Sequence, residues 1–196
     1  MLDVGCGRGE LAQLAKTLGA ASYCGLDISN SALVAARELN PGIQFAQHDA
    51  RKPFPSQLAA VDVIALFDVI EHVACPDELQ VVMNNVVSRL ALGGVIIGRT
   101  CNADSPFVAM HRYNDETHKF AFRTPLVQAI FLRHGLKVRF VDEDFRAVRL
   151  RERLLLPLKL ACVFALKPLI RLLTGERVES LHPSIYFVAT RERMPG

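Results

Sequence analysis

Met1-Leu2-Asp3-Val4-Gly5-Cys6-Gly7-Arg8-Gly9 opens the chain, and few folds accommodate it. A short apolar run reads as the end of a buried strand. Three glycines at alternate positions follow, and a helical pattern starts at Glu10. Glycine adopts backbone angles closed to other residues and lets a ligand approach the main chain. Between a parallel strand and a helix, such a turn is where an open α/β sheet receives a nucleotide-like ligand. Glu10 stands where a dinucleotide fingerprint would place its last glycine. Asp3 lies inside the strand end, where a carboxylate is costly without a partner.

The rest of the chain keeps the alternation. Leu11, Leu14, Ala15 and Leu18 recur at helical spacing before Gly19. Residues 22–27 read as a short strand ending in Asp27. Ser29 or Asn30 caps a helix to about Leu39, broken by Asn40-Pro41-Gly42. Strands are expected over 43–47, 61–67, 95–100, 137–142 and 184–190, with helices from Pro76 to about Leu90 and from about Pro125 to His134. The apolar run Val61–Phe67 suits a central parallel strand. This predicts an α/β, doubly wound, Rossmann-like sheet of seven mostly parallel strands, with an antiparallel last strand and a helical insertion before it.

At 196 residues the chain suits a single domain, 1–196. The insertion, about 146–177, is the unusual part. It holds eight basic and two acidic residues, whereas residues 1–145 hold 13 basic and 16 acidic ones. Its longest uncharged run, Leu160–Leu166, is far short of the roughly 20 apolar residues of a spanning helix. Pro157 and Pro168 are expected to divide it into short helices. It is a candidate lid, membrane-surface contact, homodimer contact or plain packing element. Nucleic acid is a weaker partner, since no aromatic-interleaved basic stripe accompanies the arginines. Cys6, Cys24, Cys75, Cys101 and Cys162 are scattered, which argues against a zinc site or disulfide framework and suits a cytoplasmic location. No signal peptide is read before the first strand.

Residues 1–9 resemble motif I of the class I S-adenosylmethionine-dependent methyltransferases. The resemblance covers roughly residues 1–145 and the last strand. It implies an element before motif I, so the domain is expected to be N-terminally short. It also implies roles for the donor S-adenosylmethionine. Gly5 and Gly7 would lie against the methionine portion, Gly9 would belong to the same donor-binding loop, and Asp3 would bind the ammonium or orient the loop. Asp27, with Ile28 beside it, would accept the ribose hydroxyls. Asp49 would accept from the adenine amino group, Ala50 and Phe54 would cover the ring, and Phe67 would complete the pocket.

Phe67-Asp68-Val69-Ile70-Glu71-His72-Val73 resembles the segment after the fourth strand in ubiquinone-biosynthesis O-methyltransferases and small-RNA terminal 2′-O-methyltransferases. There an acid-x-x-Glu-His pattern accompanies a divalent metal. Asp68 stands where those groups carry Glu, and His118, before Lys119-Phe120, resembles the RNA enzymes' downstream histidine. Asp68, Glu71, His72 and His118 are thus the implied ligands of Mg²⁺ or Mn²⁺, which would lower the pKa of an acceptor hydroxyl. Without a metal, Glu71 and His72 simply begin a helix, and His72, His111 or His118 is the candidate general base. The expected function is O-methylation of a small molecule, glycan or lipid-linked substrate by direct displacement. The alternatives are a non-catalytic donor-binding protein or subunit, a nicotinamide-dependent oxidoreductase and an RNA 2′-O-methyltransferase.

Overall fold

The computed structural model describes residues 1–141 and 150–192. The expected strand residue Asp142 and insertion residues 146–149 lie outside this range. Seven strands form one sheet: β1 (Leu2–Val4), β2 (Cys24–Asp27), β3 (Gln44–Gln47), β4 (Val61–Phe67), β5 (Leu90–Cys101), β6 (Leu136–Val141) and β7 (Ser184–Arg191). Their order is β3-β2-β1-β4-β5-β7-β6. The first five run parallel, and β7 is antiparallel to both β5 and β6. The chain winds outward from β1 to β3, then restarts on the other side of β1 with β4. The carboxyl ends of β1 and β4 therefore flank a topological switch point, where α/β sheets bind ligands.

Helices α1 (Glu10–Thr17), α2 (Asn30–Leu39), α3 (Pro76–Ser88), α4 (Ala109–Arg112), α5 (Thr124–Arg133) and α6 (Leu150–Thr174) connect the strands. Apolar residues on opposite sides of the sheet divide into two cores. The larger joins Leu2, Val4, Ile64 and Leu66 to Val82 and Met83 of α3 and Val127 and Phe131 of α5. The smaller joins Cys6, Ala12, Leu33, Ala36 and Phe45 beneath α1 and α2. Ser29 caps α2, its hydroxyl accepting from the Ala32 N–H at 3.3 Å.

Two expectations change. The helix before β5 stops at Ser88, and β5 begins at Leu90 and runs through Gly93-Gly94. Val61 pairs with Leu90 and Val63 with Val95, so the extra residues bulge out. A Cβ on Gly94 would lie 2.9 Å from the Ala91 carbonyl oxygen, so the glycine marks a close backbone approach rather than a loop. In the insertion, Pro157 and Pro168 both lie inside one continuous helix, α6. Each proline removes only one helical N–H, and the remaining rungs carry the helix past it. Among the described residues, no helix is long and apolar enough to cross a membrane.

Candidate active site

The glycine loop is held by the neighbouring strand β2. The Gly5 and Cys6 N–H groups both donate to the Leu26 carbonyl, at 2.7 and 3.0 Å. The Gly7 N–H donates to Asp27 Oδ2 at 2.7 Å. Gly9 caps α1 at φ 74°, where a Cβ would lie 2.8 Å from both Asn40 Nδ2 and Phe45 Cζ. Gly7, at φ 52°, differs, because a Cβ there would meet nothing within 4 Å. The main chain at Gly7 therefore borders open space at the switch point.

Asp27 ends β2 with both oxygens engaged, Oδ2 by Gly7 and Oδ1 by the Ser29 N–H at 2.8 Å. A carboxylate has about four acceptor positions, so each oxygen keeps one for a further donor. The adjacent Ile28 side chain is exposed. Asp3 is buried and accepts from the Tyr23 hydroxyl. Burial pushes the Asp3 carboxyl up to about 6; the Tyr23 hydrogen bond opposes the rise and Asp27 adds to it. Tyr23 was not legible as a site residue, since an aromatic inside the expected strand 22–27 reads as core.

The third acid sits differently from its expected role. Arg51 covers Asp49, donating from its main chain at 3.0 Å and from Nε and Nη2 at 2.8 Å. Those hydrogen bonds hold the Asp49 carboxyl below the usual carboxylate range. Phe54 is buried in the larger core against the His48 ring at 4.9 Å, so its ring is not open to a ligand. Ala50, partly buried, packs against the same core. The cause is local: Asp49 begins a turn in which the Lys52 N–H donates to its carbonyl, bringing Arg51 back onto the carboxylate.

Beyond β4, Phe67 is half-buried and Asp68 takes φ 54°, the one left-handed non-glycine among the described residues. Its side chain meets Arg99 of β5. Nε donates to Oδ1 at 2.9 Å and to Oδ2 at 3.1 Å, and Nη2 pairs with Oδ2. Asp68 does not join the expected metal ligands. Among the described residues, two other groupings bring their ligand atoms within 4.8 Å of one another: Glu71, Cys101 and His118, and His72, Asp115 and His118. Glu71 is fully buried, accepts from Thr100 Oγ1 at 3.0 Å, and has its carboxyl pushed up to about 7 by burial. Glu71 and His72 belong to a 3₁₀ turn, Ile70–His72.

The histidines do converge. The His72 and His118 rings stand 4.7 Å apart, and His118 Nδ1 lies 3.0 Å from the His111 carbonyl. A carbonyl only accepts, so His118 carries its proton on Nδ1 and presents Nε2 as a lone pair. His72 Nδ1 lies 2.8 Å from Thr117 Oγ1, which donates to Asp115 Oδ1 at 2.6 Å. With its only proton spent on Asp115, Thr117 accepts from His72 Nδ1–H, again leaving Nε2 free. Burial lowers the pKa of His72 and His111. His111 Nδ1 is engaged by Ser184 Oγ at 3.1 Å. Asp115 and Thr117 had no motif of their own; the signal was their place between His111 and His118.

A cavity of about 190 Å³ lies along the start of β7, lined by Thr124, Ser180, Ser184 and Tyr186 among others. Tyr186 also faces Arg99, whose guanidinium carbon is 5.9 Å from the ring centre.

Residues 2–96 match the family model described as "Methyltransferase domain". A search of curated proteins finds no match. Among solved structures, the chain is similar to a SAM-dependent methyltransferase from Archaeoglobus fulgidus, at TM-score 0.69 and 20% identity over 96% of this chain and 84% of that one. It is similar to the methyltransferase domain of bacterial CtHen1 at TM-score 0.63 and 19% identity, over 96% and 88%. It is also similar to magnesium protoporphyrin IX methyltransferase from Synechocystis PCC 6803, solved with bound SAH, at TM-score 0.62 and 16% identity, over 97% and 73%.

Proposed function

Taking the chain as a class I S-adenosylmethionine-dependent methyltransferase, we propose that it methylates an oxygen of a small-molecule, glycan or lipid-linked acceptor beside His72 and His118. The observation that carries this reading is a shared edge. The open main chain at Gly7, the spare acceptor positions of Asp27 and the paired histidine Nε2 atoms all lie past the carboxyl ends of neighbouring strands.

When bound, S-adenosylmethionine supplies a methyl carbon already activated by its sulfonium. The protein then needs to align, exclude water and take one proton. Gly5, Gly7 and Gly9 receive the methionine portion, and Asp27 accepts from the ribose hydroxyls. Asp49 reaches an adenine amino group only by sharing its oxygens with Arg51, so Ile28 and Ala50 flank the purine. Asp3 holds the loop through its strand and lies near enough to Asp27 to reinforce the negative charge there. The acceptor hydroxyl gives its proton to His72 Nε2 or His118 Nε2, and the oxygen–carbon bond forms as the carbon–sulfur bond breaks. The lowered pKa of His72 keeps its imidazole neutral at pH 7, as a base requires.

His72, Asp115 and His118 also offer the mixed nitrogen and oxygen donors that suit Mg²⁺ or Mn²⁺. Such an ion would lower the pKa of the acceptor hydroxyl, whose proton would then pass to solvent rather than to a histidine. Incubation with methyl-labelled donor and fractionated cell extract tests the function. Label is expected in the small-molecule, glycan or lipid fraction. Label confined to RNA or protein, or no label in any fraction, would overturn the assignment.

A further inference from the structure

Helix α6 is apolar around most of its circumference, a pattern normally found in buried helices. Yet Val163 is its one fully buried side chain among those described. Leu154, Leu158, Leu169 and Leu172 are 74%, 64%, 48% and 81% exposed. With Ala161 and Ala165 they recur every three or four residues, so they form one stripe opposite Val163. The stripe runs roughly 27 Å at 1.5 Å per residue. No charged residue interrupts it. By helical spacing Arg153 and Arg171 lie on one flank of the helix beyond the stripe, and Lys159 lies on the opposite flank about as far from it.

The placement of α6 adds a direction. The chain leaves the sheet at Val141 and returns at Ser184, and Val141 pairs with Tyr186, which also pairs with Arg99. The helix is therefore rooted at the edge that carries Asp68 and the glycine loop. It is tied back there by Arg123 to Glu176 at 3.1 Å, and by the Asn102 amide to the Ser180 and His182 carbonyls at 3.1 and 2.8 Å.

Charge decides between the occupants of such a stripe. The eight basic and two acidic residues of 146–177 give the segment six net positive charges. Two copies meeting stripe to stripe would bring those charges together, and like charges across an interface are unfavourable. A surface of anionic phospholipid matches both features, taking the stripe among the acyl chains and the cations among the headgroups. We infer that α6 lies in the plane of an anionic membrane surface, with the donor-binding edge of the sheet turned toward the lipid. The docking is independent of the reaction. Its corollary, an acceptor reached from the bilayer, rests on the methyltransferase reading.

Sedimentation of the full chain with phosphatidylcholine vesicles, with and without phosphatidylglycerol, tests the docking. Binding is expected only with phosphatidylglycerol, and it should weaken with salt. The triple variant Leu158→Gln, Leu169→Gln, Leu172→Gln should lower partitioning by at least roughly tenfold, with circular dichroism unchanged. Arg153→Glu with Arg171→Glu spares the apolar stripe and should remove the preference for anionic lipid by a similar factor, roughly tenfold or more. The inference fails if the wild type ignores anionic vesicles, binds neutral ones equally, or keeps its affinity in both variants. It also fails if the wild type is a lipid-free dimer that the glutamine variant dissociates, which would assign the stripe to a second copy. Calorimetric donor binding on the same samples separates the two readings: vesicle binding without donor affinity would sink the methyltransferase reading and leave the docking standing.

Discussion

His72 Nδ1 lies 2.8 Å from the Thr117 hydroxyl, whose proton is committed to Asp115 at 2.6 Å. This relay fixes the tautomer and leaves Nε2 as the basic atom. Thr117→Val should lower kcat roughly tenfold or more and alter the acid limb of the pH profile, with donor affinity unchanged. Thr117→Ser should restore both. In the wild type that limb is expected below the usual histidine range, because burial lowers the His72 pKa. A rate profile identical in the valine variant would remove the relay from the mechanism.

Asp68 answers to Arg99, so it should be dispensable for metal. Titration with Mn²⁺, followed by electron paramagnetic resonance, should show affinity retained in Asp68→Ala. His118→Ala should lose on the order of tenfold or more, as expected for a ligand. If chelator leaves activity intact and neither variant changes Mn²⁺ affinity, the histidines act as bases alone.

In the proposed reading Asp27 serves both the loop and the donor. Asp27→Ala removes charge-assisted acceptors, each worth about 1.5–3 kcal/mol. Donor affinity should fall by on the order of a hundredfold in calorimetry. Gly7→Val probes the same pocket from the other side. A Cβ there meets no protein atom within 4 Å, so the cost to folding includes the left-handed backbone, about 1–2 kcal/mol or more for a β-branched residue. Donor binding should nevertheless be lost, because the side chain enters the space left open beside the loop.

Asp3 links stability to pH. Its folded carboxyl is raised from 3.8 to about 6, chiefly by burial, so the folded state holds the proton more tightly. The stabilisation from that proton is fully present below pH 3.8 and is lost as pH rises through about 6. By pH 7 the difference is about 3 kcal/mol. Asp3→Asn keeps an acceptor for Tyr23 and loses this dependence. Urea unfolding should find it more stable than wild type at pH 7.5 and no more stable at pH 4.

The glycine loop and its neighbouring strands were legible because their signals are local. Alternating glycines, apolar runs and strand-end acids each report on a few neighbouring residues, and β1 to β4 lie within three residues of where the pattern places them. Partnerships across strands were not legible. Asp68 and Arg99 are 31 residues apart and meet because Phe67 pairs with Arg99, a register that no spacing announces. Tyr23 reaches Asp3 for the same reason, sitting just before the strand whose Gly25 is the partner of Asp3. Pro157 and Pro168 misled because proline's local penalty is read without the neighbouring helical turns that outweigh it.

The pairing of Val141 with Tyr186 sets how the insertion is closed. Val141 ends β6 and Ser184 begins the neighbouring β7, so the ends of the intervening segment are already close. Closing a longer or shorter segment across that gap changes the entropy only slowly with length. The stretch can therefore behave as an exchangeable cassette. A long apolar helix or a tight hairpin could span that gap equally well, with β1, β2 and β4 on the far side of β5 left as they are.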